Sequence, residues 1–104
     1  MRRTGGSVFF VKVDAIDFVE ASRNYVKIHC GPEVHTMRET MGRIEARLDP
    51  QRLLRIHRST VVNVDRISKI EPGIGSESVV VLDSGERLMV SRACWRDKVR
   101  ALLS

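Results

Sequence analysis

Short apolar runs alternate with turn-forming residues along most of the sequence, and this pattern constrains the fold more than any other feature. Val8–Val13 and Ile16–Glu20 are two such runs, and the turn signal Gly31-Pro32 separates the strands predicted around Ile28 and Val34. Short runs bounded by glycine, proline and aspartate are typical of β-strands joined by tight turns. The first third of the chain is therefore predicted to be a β-meander.

A second group of strands is predicted toward the end of the chain. Ile67–Glu71 is followed by Pro-Gly, and Val79–Leu82 and Arg87–Val90 then flank the four residues Asp-Ser-Gly-Glu. In such a tight hairpin, Gly85 can take the positive φ that a primed turn requires. Together with the meander, this hairpin predicts a mainly β protein.

One amphipathic helix is predicted over residues 37–48. Thr36 and Glu39 match the capping box, in which a threonine and a glutamate three residues later satisfy each other's backbone donors. Asp49-Pro50 is a stop signal. Apolar side chains recur on one helical face, at Met37, Met41, Ile44 and Leu48.

A second helix is predicted over residues 92–103, with Ser91 as its N-cap. Its apolar face consists of Trp95, Val99 and Leu102. Beside that face, arginines spaced by four form a basic stripe of Arg92, Arg96 and Arg100. Side chains at this spacing lie on one side of a helix.

Size and charge narrow the possible functions. The 104 residues fit one domain, and the net charge is +5, from 18 basic and 13 acidic residues. The basic residues are 14 arginines and 4 lysines. Arginine is the side chain that contacts phosphates and guanine edges in a bidentate way. This balance suits nucleic acid, although a mildly basic domain need not bind any.

The sequence predicts a protein of the cytoplasm without a membrane span. No window approaches the roughly 20 apolar residues that a span requires, and the N-terminal MRRTGGS is not followed by the apolar region of a secretory signal. Cys30 and Cys94 lack paired spacing. They are predicted to be free thiols in a reducing compartment.

No enzymatic activity, metal site or cofactor is predicted. His57, Ser59 and Asp65 invite comparison with a catalytic triad, but three residues in one short strand-turn segment are poorly placed to converge. The chain has no nucleophile elbow and no glycine-rich phosphate loop. The spacing of the residues that could bind a metal fits no common zinc site, and these residues are His29, His35, Cys30 and Cys94.

Three segments carry a resemblance to a known family. They are RIHRSTVVNVDRI at Arg55–Ile67, which we call the signature segment, EASRNYVKI at Glu20–Ile28, and MVSR at Met89–Arg92. In this order and spacing, the chain resembles LytTR-type (LytR/AlgR-like) DNA-binding domains from about Val8 to Leu103.

The resemblance implies an elongated fold built from about three small antiparallel sheets with short helices. It also implies that DNA is contacted from loops, unlike in helix-turn-helix proteins, whose recognition helix enters the major groove. Residues 8–104 are accordingly predicted to be the DNA-binding domain. Residues 1–7 are predicted to be a flexible linker or residues added in front of the natural domain.

The resemblance also implies which residues contact bases. These are Asn24 or Tyr25 in the first loop, Arg58 between the histidine and serine of the R-I-H-x-S motif, and Arg92 by the last strand, where Ala93 is the alternative. From the residues alone, a loop asparagine such as Asn24 is more often explained by its tolerance of left-handed backbone geometry than by base contact. Tyr25 is equally explained as a core residue.

A second set of residues is predicted to contact phosphates or to position the loops. The signature segment has a high local density of basic residues, which favours a surface that faces phosphates. Hydroxyl and amide side chains within it can fix a turn or donate to a phosphate, and the imidazole can hold the turn from a buried position. The set consists of Arg23, Arg55, His57, Ser59, Asn63, Arg66 and Arg96.

The resemblance implies sequence-specific binding of double-stranded DNA by a transcription regulator, as the output domain of a two-component response regulator. Such domains bind tandem sites as pairs, behind a receiver domain whose residues this chain lacks. The alternative is a β-module for protein interaction or oligomerisation that does not bind DNA. An RNA-binding module is disfavoured, because only 5% of the residues are aromatic and stacking on single-stranded bases requires exposed aromatic pairs.

Overall fold

The computed structural model describes residues 2–4, 7–9, 12–49, 51–73 and 77–94. The strands in these ranges are β1 (Arg2–Thr4), β2 (Ser7–Phe9), β3 (Phe18–Ser22), β4 (Tyr25–Cys30), β5 (Glu33–Arg38), β6 (Leu53–His57), β7 (Thr60–Asn63), β8 (Ile67–Pro72), β9 (Ser78–Leu82) and β10 (Arg87–Val90). The helices are α1 (Met41–Ala46), α2 (Arg92–Cys94) and the 3-10 helices Val13–Ala15 and Val64–Arg66. The prediction of a mainly β protein is confirmed.

The strands form three antiparallel sheets. The largest has five strands in the order β5-β4-β3-β7-β6, the second has three in the order β10-β9-β8, and β1 pairs with β2. The molecule measures 43 × 23 × 23 Å. Both the elongated shape and the small antiparallel sheets were predicted. The boundary proposed at residue 8 stays a prediction, and the β1–β2 hairpin lies across it.

The helix predicted over residues 37–48 is present but begins later. Thr36 lies in β5, and the N-cap is Thr40, whose Oγ1 accepts a hydrogen bond from the backbone N–H of Arg43 at 3.3 Å. The predicted cap was wrong because β5 stays paired with β4 as far as Arg38. Met37 is buried, as an apolar residue of the predicted helix would be, but it belongs to β5. An inward-facing position on a strand buries an apolar side chain as well as a helical one does.

The five-stranded sheet is the middle layer of the molecule. On one face it packs against α1, in a core whose buried residues are Ile16, Val19, Val26, Ile28, Met37, Met41, Ile44, Leu53 and Val61. On the other face, the part formed by β3, β7 and β6 packs against the three-stranded sheet, in a core of Phe18, Leu54, Ile56, Val62, Val80, Leu82, Leu88 and Val90. Alternate residues of one strand therefore enter different cores, as the two-residue period of a strand requires.

The hairpin and cap predicted in the last quarter are confirmed. Gly85 has a φ of +94° between β9 and β10, and the Ser91 hydroxyl accepts a hydrogen bond from the backbone N–H of Cys94 at 3.2 Å. The predicted helix 92–103 is described only as far as Cys94, so its basic stripe and the site residue Arg96 lie outside the described residues. Within the described ranges, no helix is long and apolar enough to cross a membrane.

Candidate DNA-binding surface

The β3–β4 turn and the β6–β7 turn lie side by side at one end of the five-stranded sheet. Ser22 pairs with Tyr25, so the first turn consists of Arg23 and Asn24. The backbone N–H of Ala21 donates to the carbonyl of Ser59 in the second turn at 2.8 Å. Because β3 and β7 are paired antiparallel neighbours, their chain reversals are placed at the same end.

The segment after β10 reaches the same end. The backbone N–H of Ser91 donates to the carbonyl of Ile56 at 2.8 Å, and Ile56 directly precedes His57 at the end of β6. Arg92 follows Ser91 and is exposed. The three segments that carry the family resemblance therefore meet at one place, which we call the loop end.

In the first turn, the backbone differs from one expectation. Among the described non-glycine residues, the positive φ belongs to Arg23, at 56°, and not to Asn24. Left-handed geometry therefore does not explain Asn24, whose carbonyl accepts a hydrogen bond from the backbone N–H of Glu39 at 3.2 Å. Tyr25 is 49% exposed, so its alternative interpretation as a core residue was wrong.

The second turn is held by the side chains around Arg58. Arg55 donates from Nη1 to Oε1 of Glu45 on α1 at 2.9 Å and from Nη2 to the carbonyl of Arg58 at 2.5 Å. Nδ1 of His57 accepts from the backbone N–H of Ser59 at 3.3 Å and lies 2.9 Å from its Oγ. Arg55, His57 and Ser59 thus fix the backbone, while Arg58 points into solvent.

Asn63 and Arg66 are not brought to this end. Asn63 is buried, donates from Nδ2 to the carbonyl of Ile16 at 2.7 Å and accepts at Oδ1 from the backbone N–H of Asp65 at 3.0 Å. Its amide is used inside the protein, so it positions a loop and does not reach a phosphate. Asn63 is the last residue of β7, and the loop end lies at the other end of this strand. We call the end of the sheet that contains Asn63 the far end.

Arg66 is engaged at the far end. Its Nε lies 3.4 Å from Oδ1 of Asp17, and its Nη2 donates to the carbonyl of Asp14 at 2.9 Å. Arg52 forms an ion pair with Asp14 in the same region. These guanidinium groups hold the 3-10 helices and the start of β3 together.

The arginines of the loop end have a different environment. Arg23, Arg38, Arg58 and Arg92 are exposed, and none has an ion-pair partner among the residues that the structure describes. Unpaired cations that share one end of a molecule sum to a positive potential, which attracts polyanions and raises their association rate. The loop end is therefore the best candidate surface for DNA.

Sequence reasoning missed two residues of this region. Arg38 stands directly opposite Tyr25 in the β4–β5 register, but the helix prediction had placed it on a helix. Glu45 had no predicted role, because its partner Arg55 lies on another element. The alternation of polar Thr36, apolar Met37 and polar Arg38 was the signal that could have extended β5, because alternate residues of a strand face opposite sides.

The candidate catalytic and metal residues do not form a site in the described ranges. His57 contacts Ser59, but Asp65 lies at the far end, beyond β7. Among the described residues, no group of three or more histidine, cysteine, aspartate or glutamate side chains could hold a metal ion.

The two cysteines are free thiols, as predicted. Cys30 packs against the α1 core and Cys94 against the core between the sheets. Burial raises the pKa of the Cys30 thiol, and the nearby carboxylates of Asp17 and Glu33 raise it further. A thiol in this environment stays protonated near neutral pH and is a poor nucleophile.

Comparison with known proteins shows which family this fold and sequence belong to. The model of the LytTr DNA-binding domain family matches residues 6–103. A solved structure, the LytTr DNA-binding domain of a putative methyl-accepting/DNA response regulator from Bacillus cereus, superposes with a TM-score of 0.84 at 26% identity, over 98% of this chain and 93% of the other.

Full-length relatives point to the same family. The sensory transduction protein LytT of Bacillus subtilis is 28% identical over 94% of this chain, and the transcriptional regulatory protein LytR of Staphylococcus aureus is 30% identical over 67% of it. The chain covers 41% of the first protein and 28% of the second. This elongated β domain is thus a DNA-binding module, and the chain belongs to the LytTR DNA-binding domain family.

Proposed function

We propose that this chain binds double-stranded DNA sequence-specifically for a bacterial transcription regulator and contacts base edges in the major groove from its loop end. The observation that carries the proposal is the convergence of three loops whose exposed arginines have no acidic partner in the described part of the chain. Asn24, Tyr25, Arg58 and Arg92 are the base-contacting residues of this proposal.

The chemistry of these side chains supports base contact. Arginine donates in a bidentate way to O6 and N7 of guanine, and asparagine does so to N6 and N7 of adenine. Arg58 fits this role best, because its side chain is free while the carbonyl of the same residue is held by Arg55. A fixed backbone reduces the conformational freedom that is lost on binding.

The remaining residues support these contacts. Arg23 is exposed beside Asn24 and suits a phosphate, which would orient the domain on the duplex without carrying sequence information. Arg55, His57 and Ser59 position the second turn, and Asn63 and Arg66 position the far end. Arg96 keeps its proposed phosphate role on the strength of the sequence alone.

For the whole protein, we infer the output domain of a two-component response regulator. The support is in the names of the relatives, which describe a sensory transduction protein, a transcriptional regulatory protein and a response regulator, together with their additional length. A receiver domain outside this chain would control pairs of these domains on tandem DNA sites.

The test is an unbiased selection of duplex DNA on the purified chain, with the Arg58→Ala, Arg92→Ala double variant as control. We expect one short motif to be enriched by the parent and much less by the variant. Neutralising about 5 phosphates also predicts a log–log slope of affinity against salt near −4.5 for B-DNA. A flat selection with a slope near zero contradicts the proposal and favours a protein-interaction module.

A further inference from the structure

One face of the β4–β5 ribbon is open to solvent beside the loop end. The register sets Tyr25 opposite Arg38 and Lys27 opposite Thr36, and all four residues are exposed. The three-stranded sheet covers this face of the five-stranded sheet only over β3, β7 and β6. We call Lys27, Thr36 and Arg38 the basic strip.

The one carboxylate that stands opposite Lys27 is engaged elsewhere. The β3–β4 register pairs Glu20 with Lys27, but Oε1 of Glu20 lies 2.9 Å from Nε2 of His29. The His29 ring is itself held by stacking on Phe18, with centroids 4.0 Å apart and an interplanar angle of 11°. Lys27 is consequently left without an ion-pair partner among the described residues.

The basic strip is continuous with the loop end. Arg38 and Asn24 line the same shallow cavity of about 250 Å³, together with Glu39 and Thr40. The hydrogen bond from the Glu39 N–H to the Asn24 carbonyl holds the end of β5 against the β3–β4 turn. A duplex that touches Asn24 therefore passes close to Arg38.

The spacing of the strip matches the DNA backbone. Lys27 and Arg38 are diagonal neighbours across β4 and β5, and the Cβ atoms of such neighbours lie roughly 7 Å apart. Each DNA strand carries one negative charge per about 3.4 Å of helix axis. This separation is about two phosphate steps on one strand, so two long cationic side chains can reach phosphates of the same strand, and the Thr36 hydroxyl can donate to the same backbone.

We propose that the basic strip extends the DNA-contacting surface from the loop end along β4 and β5, so that Lys27 and Arg38 bind backbone phosphates flanking the bases contacted by the loops. The Glu20–His29 pair keeps the strip cationic by engaging the carboxylate that stands opposite Lys27. This inference rests on the proposed function and assigns the strip to affinity, because phosphate contacts carry no direct sequence information.

The experiment is a salt titration of Kd for matched and scrambled duplexes with Lys27→Gln, Arg38→Gln and the double variant. Each single change should reduce the magnitude of the log–log slope by about 0.9 for both duplexes, and the double change by about 1.8. As the salt concentration rises from 50 to 200 mM, the ratio of the Kd of each single variant to the Kd of the parent should fall about threefold. The ratio of matched to scrambled affinity should stay that of the parent.

Matched controls come from outside the basic strip and the three loops. Lys12 and Arg47 are also exposed and without an ion-pair partner among the described residues, but Lys12 precedes the 3-10 helix Val13–Ala15 and Arg47 ends α1. Lys12→Gln and Arg47→Gln remove the same charges and should leave the slope nearly unchanged. If all four single variants change the slope equally, the strip is not a contact surface and only net charge matters.

A second set of variants tests the role of the Glu20–His29 pair. His29→Leu keeps an apolar contact with Phe18 but releases Glu20, which can then pair with Lys27. We expect His29→Leu to weaken DNA binding in the parent and to have no further effect in the Lys27→Gln background. A loss that persists in that background comes from a general structural defect and contradicts the proposed mechanism.

The outcomes separate this inference from the proposed function. If the parent binds a selected duplex with a steep salt slope while Lys27→Gln and Arg38→Gln behave like the controls, the inference is wrong and the proposed function stands. If the parent binds no duplex DNA, both are wrong.

Discussion

The two ends of the five-stranded sheet use the same residue types for different purposes. Arg58 and Arg66 belong to one signature segment, yet Arg58 is exposed without an acidic partner in the described ranges, and Arg66 contacts Asp14 and Asp17. At the loop end, other side chains hold the backbone and leave the guanidinium free. At the far end, the guanidinium itself holds the structure together.

The acidic neighbours of an arginine determine whether its charge is neutralised within the protein or left to attract a polyanion. At the far end, acidic residues pair with the arginines that have structural roles, as Asp14 does with Arg52 and Asp17 with Arg66. Charge alone does not identify a DNA surface, because Lys12 and Arg47, outside the loops, are also without an ion-pair partner among the described residues. Variants that affect one end and not the other can test this division directly.

The largest effect is expected for Asn63→Ala, on stability. The change leaves the Ile16 carbonyl and the Asp65 N–H without their buried partner, and each loss costs about 1–3 kcal/mol. Thermal or denaturant unfolding measures the cost, and for a chain of this size about 1 kcal/mol corresponds to roughly 4–8 °C in Tm.

DNA binding provides the control for that variant. At a temperature where Asn63→Ala remains folded, its preference for matched over scrambled DNA should equal that of the parent. A selective loss of sequence preference would contradict the assignment of Asn63 to the far end.

The next largest effect is expected for Arg58→Ala, on sequence preference. A good bidentate contact with guanine gives about 1–3 kcal/mol of discrimination, so the ratio of matched to scrambled affinity should fall by that amount in competition binding. Arg66→Ala is the matched control and should change unfolding more than DNA preference. If Arg58→Ala lowers both affinities equally, Arg58 is a phosphate contact.

A smaller effect is expected for Arg55→Ala, which removes the link between Glu45 and the Arg58 carbonyl. We expect about 1 kcal/mol of lost affinity for the matched duplex, the scale of one hydrogen bond, with an unchanged salt slope because the guanidinium of Arg55 is engaged by Glu45 and the Arg58 carbonyl. Glu45→Gln should act in the same direction.

Arg87→Ala is the control for Arg55→Ala, since Arg87 is ion-paired with Glu71 in the other sheet. It should leave affinity for both duplexes unchanged. A salt slope that decreases in magnitude by about 0.9 in Arg55→Ala would instead show that Arg55 contacts a phosphate.

The smallest effect is expected at Cys30 and appears only at alkaline pH. Burial and the neighbouring carboxylates raise the pKa of its thiol, so the folded state favours the protonated form. The resulting stabilisation is fully present below the pKa of the unfolded thiol and is lost as the pH rises through the raised pKa of the folded state.

Alkylation and unfolding measure this effect. Cys30 should react more slowly with iodoacetamide at pH 8 than a model thiol, and Cys30→Ser should lose a small part of the alkaline decline in stability. DNA binding at pH 7 should be unchanged. Rapid alkylation of Cys30 in the folded protein would contradict the raised pKa.

Local signals in the sequence were sufficient for much of the fold. The β9–β10 hairpin depends on a glycine at the turn, and the cap of α2 depends on a serine next to the helix, so both were predictable from adjacent residues. The first helix was placed too early because Thr36 and Glu39 satisfy a helix cap pattern, whereas pairing of β5 with β4 decides the conformation there.

The sequence by itself determined the mainly β class, the free thiols and the three segments that identify the family. Only the tertiary structure decided which of the described arginines have an acidic partner, because these partners are distant along the chain, as in the pair Arg66–Asp17. It also decided that Asn63 is buried against Ile16 and that Glu20 pairs with His29 and leaves Lys27 free among the described residues. Composition fixes the number of charges, but strand register and turn packing determine which of them neutralise each other.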